Sequence, residues 1–203
     1  MQRMIAVMML VAAMMFSALQ AIAGEPQKES KFYASAGMSR GYGFDVETNG
    51  RSFEDMGVAF SNSAGLDIRL GWTPLSFVSL EGEYLTMSSF TGDDGKTQAD
   101  FQPTSFFANI KIKPAELFFK NPKISPYLTG GIGTTNLEIS AGGKSASNNS
   151  NSSSKIGIGV DIPLRKNLYL YSEIVGYHFS FQNDKNDTEY NYSTINIGFG
   201  IKF

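Results

Sequence analysis

From Thr194 onward every second side chain is large and apolar. Ile195, Ile197, Phe199, Ile201 and Phe203 fall on one face of an extended chain, and Thr194, Asn196, Gly198, Gly200 and Lys202 on the other. A period of two is the signature of a β-strand with one apolar and one polar face. The pattern recurs along the chain. Leu66, Ile68, Leu70 and Trp72 oppose Asp67, Arg69 and Gly71, and Val78, Leu80 and Tyr84 oppose Ser79, Glu81 and Glu83. Phe106, Ala108, Ile110 and Ile112 oppose Asn109 and Lys111, and Ile156, Ile158, Val160 and Ile162 oppose Lys155, Gly157, Gly159 and Asp161.

Three further segments, 32–43, 125–139 and 167–181, read as strands with less regular faces. In the last, Leu168, Leu170 and Ile174 compete with Tyr169, Tyr171 and Val175 for the apolar face, so its facing stays open and a bulge could switch it. The sum is eight strands. Their connections alternate in length: long polar stretches at 44–62, 91–100, 141–153 and 182–189, and tighter links at 73–76 and 163–166. The link at 114–123, with Leu117, Phe118 and Phe119, is long for its place in that series. The Ser/Asn-rich stretch 141–153 reads as a flexible loop too polar to join a core.

Composition agrees with an all-β chain. There are 21 glycines, 16 phenylalanines and 9 tyrosines, and no cysteine, so disulfides and thiolate metal sites are excluded. A formal charge of −2 with no basic stripe gives no reason to expect nucleic acid. The first 23 residues differ: Arg3, the apolar run Ile5–Phe16 and then Ala21-Ile22-Ala23 before Gly24 have the anatomy of a secretory signal. Cleavage after Ala23 is expected, leaving 24–203 as one domain; a retained membrane anchor is the alternative.

A soluble barrel with a ligand-binding lumen also alternates with period two, but its charges face water on the outside. Here the polar faces are small, and their charges nearly balance. Asp67, Glu81, Glu83 and Asp161, joined by Glu173, are acidic; Arg69, Lys111, Lys155 and Lys202 are basic. Buried charges persist when paired. The reading is therefore a closed, antiparallel, up-and-down transmembrane β-barrel of eight strands, apolar toward lipid, with those charges paired in a filled lumen. Short turns at one end and long loops at the other match a bacterial outer-membrane barrel, with the tight turns in the periplasm.

Two stretches carry a resemblance. Tyr192 to Phe203, with its terminal Phe and alternate Ile197, Phe199 and Ile201, looks like the sorting signal read by the barrel-assembly machinery. Pro126-Tyr127-Leu128-Thr129-Gly130-Gly131-Ile132-Gly133 resembles a strand of the small porin-like, OmpA/OmpX-like barrels. The resemblance implies an outer-membrane location, contact with outer-membrane lipids, and passage through that machinery. It implies no single activity.

No catalytic set, cofactor or metal is expected. His178, Ser180 and Glu189 could form an acyl-transfer set. Small outer-membrane lipid A deacylases use a similar one, but Phe181 stands where their motif has Asn. Glu81 and Glu83 read as ion-pair partners of Arg69 and Lys111 rather than as an acid/base pair. Asp93-Asp94 and Asn183-Asp184 read as solvated loop acids rather than Ca²⁺ ligands. The expected role is non-enzymatic: envelope structure, with surface contacts through the outer loops. A narrow channel and a lipid A-modifying hydrolase are the alternatives.

Overall fold

The computed structural model describes residues 31–203 other than 56, 94, 96, 120, 121, 151, 184 and 185, with the backbone alone for 182, 183, 186 and 187. The signal segment 1–23 lies outside the described residues. In chain order the strands are β1 (Phe32–Thr48), β2 (Arg51–Ser52), β3 (Ala59–Phe60), β4 (Ser63–Leu75), β5 (Val78–Met87), β6 (Phe90–Asp93), β7 (Gln98–Ile112), β8 (Ser125–Ala141), β9 (Lys144–Asn149), β10 (Ser152–Pro163), β11 (Leu168–Asn183) and β12 (Asn186–Lys202). One helical turn, α1 (Ala115–Phe118), separates β7 from β8.

Eight of these strands close a ring. The order is β1–β4–β5–β7–β8–β10–β11–β12, and β12 pairs back onto β1, every pair antiparallel. The other four extend hairpins at one end. Lipid offers no hydrogen bonds, so only a ring without edges satisfies the backbone there.

Side-chain alternation places the apolar residues outside. Leu70, Phe106, Ile132, Ile156 and Ile174 are all more than half exposed, while Asp67, Arg69, Glu83, Lys111 and Glu173 are buried within. Ile197 and Phe199 also face out. Ile201 shares their parity but is only 3% exposed, where it sits between Ala34 and Leu168 in register.

The facing of β11, open at the sequence level, is settled by its unbroken register. Tyr169, Tyr171, Glu173, Val175 and Tyr177 are buried inside, and β11 carries no bulge. The bulge is in β1 instead. Three residues of β1 from Tyr42 to Asp45 pass two of β12, from Ser193 to Asn191. Gly43 lies at φ 58°, a left-handed conformation that glycine adopts freely. The extra residue switches parity, so Phe44 and Val46 enter the lumen beside the odd-numbered residues before it.

Several stretches expected as loops are strand. β1 runs on to Thr48. Residues 141–153 hold β9, which pairs with β8 from Asn136 to Ala141, and β11 and β12 pair up to Asn183 and Asn186. Long strands of 15–17 residues outrun the roughly 9–11 a membrane crossing needs. The surplus stands clear of the bilayer at the long-loop end as hairpins.

The lumen glycines have partners. Tyr33 faces Gly71 across the ladder, Tyr127 faces Gly159, Tyr169 faces Gly200, and Tyr171 faces Gly198. In each pair the ring occupies the space a glycine side chain would need. A Cβ on Gly198 would strike the Tyr171 ring and the backbone of Ala36 and Gly37, whereas one on Gly82 meets open space. Gly198→Val should therefore cost about 1–3 kcal/mol by overpacking. Gly82→Ala should stay within about 0.5 kcal/mol. Urea unfolding of both variants from lipid vesicles checks the contrast.

Candidate functional site

The lumen has two levels of different chemistry. Toward the short-turn end it is ionic. Arg69 on β4 is 2% exposed and lies among three carboxylates. Its Nη1 donates to Glu173 Oε2 at 2.9 Å and its Nη2 to Glu173 Oε1; Nη2 also meets Asp67 Oδ2 at 2.7 Å, and Nε lies 3.7 Å from Glu83 Oε2. Lys155 on β10 donates to Glu83 from the opposite wall. A second group joins Lys111 and Lys113 to Asp161, each at 3.0 Å, with Glu81 3.8 Å from Lys111 and Glu116 of α1 3.8 Å from Lys113.

Among the described residues five carboxylates and four cations are buried here. Salt bridges alone leave the carboxylates short of donors, and unpaired buried charge is costly. Tyrosine hydroxyls supply most of the difference, while Glu81 Oε2 stays buried without a hydrogen-bond partner. Tyr33 donates to Glu81 at 2.5 Å, Tyr171 to Asp67 at 2.8 Å, Tyr127 to Glu173 at 2.9 Å and Tyr177 to Glu83 at 3.3 Å. Asn109 and Asn196 add amide donors to Glu83 and Glu173. Rings also face cations: the Lys111 ammonium lies 3.7 Å from the Tyr127 centroid and the Arg69 guanidinium 4.9 Å from that of Tyr171.

Seven residues named from the sequence, Asp67, Arg69, Glu81, Glu83, Lys111, Lys155 and Asp161, meet in this network. Lys202 does not form an ion pair in it; it is partly buried, 5.9 Å from the Tyr169 ring. The expected partners of Glu81 and Glu83 are present but distant. Lys155 and Tyr33 are the closer contacts. Lys113 keeps the inward parity of Asn109 and Lys111 one residue past the end of β7, and Glu116 lies in the helical turn beyond it, where the alternation no longer marks a face.

Toward the long-loop end the lumen is apolar, which the sequence reading did not foresee. Phe44, Phe90, Phe101, Phe107, Tyr177, Phe179, Tyr190 and Tyr192 are buried together with Val46, Leu85, Met87, Leu137 and Val175. Phe44 stacks on Phe90 at 4.6 Å, Tyr177 on Tyr192 at 4.8 Å and Phe179 on Tyr190 at 5.0 Å. The expectation that large apolar side chains point outward and small or ionic ones inward thus describes one half of the cylinder. Phe107 and Val175 of this level alternate with the exposed Phe106 and Ile174, so here the barrel is apolar both within and without.

The alternative catalytic set lies on the outer wall. His178 Nδ1 is 2.9 Å from Asn191 Oδ1, in a notch of about 380 Å³ lined by Ser154, Gly176, Asn191 and Ser193. Ser180 lies opposite Glu189, and its hydroxyl is 3.4 Å from that of Ser152. No hydrogen bond among the described residues joins His178 to Ser180. Asp93 accepts from Gln98 and from the Gly95 N–H, which hold its carboxyl below the ordinary range and close a turn. Asp94 and Asp184 lie outside the described residues, and no cluster of three metal-ligating side chains occurs among those described.

Arg69→Met would strand Asp67 and Glu173 in a dry interior. We expect a loss of about 3–5 kcal/mol. Arg69→Met combined with Glu173→Met should recover part of it. A double-mutant cycle in urea, read in vesicles, measures both.

Comparison with known proteins agrees with this architecture. A family model described as the outer membrane protein beta-barrel domain matches residues 9–203. Neisserial surface protein A (NspA) superimposes with a TM-score of 0.63 at 16% identity, covering 87% of this chain and 100% of that one. Ail, the attachment invasion locus protein of Yersinia pestis, gives 0.51 at 17%, and the N-terminal β-barrel domain of Pseudomonas aeruginosa OprF gives 0.51 at 13%, each with the same coverage. At such identities the fold is what is shared. No curated protein matches the sequence significantly. The match over nearly the whole chain and the closed eight-stranded ring together make it a protein of the outer membrane that belongs to the outer membrane protein beta-barrel domain family.

Proposed function

We propose that this chain is a non-enzymatic outer-membrane barrel with a plugged lumen, which strengthens the envelope and meets its surroundings through its outer hairpins. One observation carries the reading: the interior is occupied at two successive levels, first by ion pairs and then by stacked rings. An eight-stranded barrel is just wide enough for side chains to fill. Passage would require both levels to part at once.

The supporting chemistry is consistent with a structural role. The carboxylates are tied to cations and tyrosines, so none is left poised for proton transfer at an open surface. His178 is held by an amide rather than by a hydroxyl or an acid. Outer-membrane lipids cover the belt of Leu70, Phe106, Ile132 and Ile156. The barrel-assembly machinery reads β12 and the residue after it through Ile197, Phe199, Ile201 and Phe203, of which Ile197, Phe199 and Phe203 present exposed edges.

In planar bilayers the purified protein should leave the membrane at its baseline conductance. Steady stepwise openings would overturn the plugged lumen. Lipid A from cells expressing the chain or its His178→Ala variant should give the same mass spectrum as lipid A from cells without it; a deacylated species dependent on His178 would establish the hydrolase instead. Deleting Phe203 should lower the yield of assembled, heat-modifiable protein while sparing export, measured by gel mobility of membrane fractions.

A further inference from the structure

We infer that the link between β7 and β8 is a foot resting in the membrane surface, with Leu117, Phe118 and Phe119 inserted into the periplasmic leaflet of the outer membrane. Three large apolar residues in succession are 53%, 80% and 65% exposed, and Ile124 beyond them 57%. Consecutive exposed apolar groups of this size need a cover. The link is otherwise well tethered. The Phe119 N–H donates to Ala115 at 2.9 Å, and Ser125 donates to Glu116 at 3.0 Å.

That tether sets the direction of the turn. Glu116 reaches the lumen network through Lys113. Successive helical residues rotate by about 100°, so Phe118, two positions on, points away from the side that Glu116 faces. The surface it joins is already lipid-facing. Ile112 ends β7 with its side chain exposed, and Leu128 opens the same wall on β8. The short-turn end also carries exposed Phe32, Trp72, Leu75, Leu164 and Phe203. The foot continues that apolar rim rather than interrupting it. Exposed Lys123 beside it suits the phosphates of the headgroup layer, as amphipathic side chains do at such depths.

The occupant we assign is phospholipid. The test uses the full-length protein with its single tryptophan removed as Trp72→Phe and a reporter placed by Phe118→Trp. It is reconstituted into phosphatidylcholine vesicles brominated at shallow acyl positions. The new indole should emit at short wavelength, lose most of its emission to the bromines, and resist acrylamide. Free access to acrylamide without bromine quenching would overturn the foot by placing the turn in water. Shielding from both quenchers would overturn it equally, by placing the turn against a second copy of the chain. Folding of the variant is checked by heat-modifiable gel mobility, and the exposed position of Phe118 makes its retention the expected result.

Discussion

Closure of β12 onto β1 is the constraint from which the rest follows. Once the ladder is a ring, its circumference is fixed and so is the space inside. Every inward side chain must then fit a cylinder that cannot widen. The tyrosine–glycine pairs are the local answer: Tyr33, Tyr127, Tyr169 and Tyr171 each face, on one side of the ladder, a residue with no side chain at all. The small residues of β10 and β12 are therefore not weak stretches of strand. They are the counterparts of rings carried by β8 and β11.

The same confinement governs the charges. Neither lipid nor bulk water reaches them, so their solvation has to be built from the chain. Arg69 answers with a fork directed at Glu173 and a side contact to Asp67. The tyrosine hydroxyls add donors where four cations fall short for five acids, and only Glu81 Oε2 among those carboxylate oxygens is left buried without a partner. Above that level the filling changes from ionic to apolar, while the outer wall stays apolar beside it. Aromatic side chains gather there, and the bulge at Gly43 delivers Phe44 and Val46 to them.

Much of this was legible in the chain. Strict alternation in Leu66–Trp72, Phe106–Ile112, Ile156–Ile162 and Ile195–Phe203 specifies strand and face together. Seven of the lumen charges follow from their places on the opposite face. The facing of β11 was not legible, because Leu168 and Leu170 are as apolar as Tyr169 and Tyr171 and what distinguishes them lies on other strands. The bulge escaped because one residue changes parity without changing composition. The aromatic level escaped for a related reason: Phe44, Phe90 and Phe101 lie among polar neighbours, where a local pattern reads as loop. Lys202 has the right parity for the network but sits too near its mouth to enter an ion pair.

The hairpin formed by the end of β8 and by β9 shows what this separation of levels permits. Its Ser and Asn side chains bond one another across the ladder, Asn136 with Ser147 and Asn149, and Ser140 with Ser145. β9 is exposed throughout and rests on no packed interior. Its residues can thus be exchanged, lengthened or lost with little penalty to the cylinder beneath, which leaves this hairpin the part of the molecule freest to diverge.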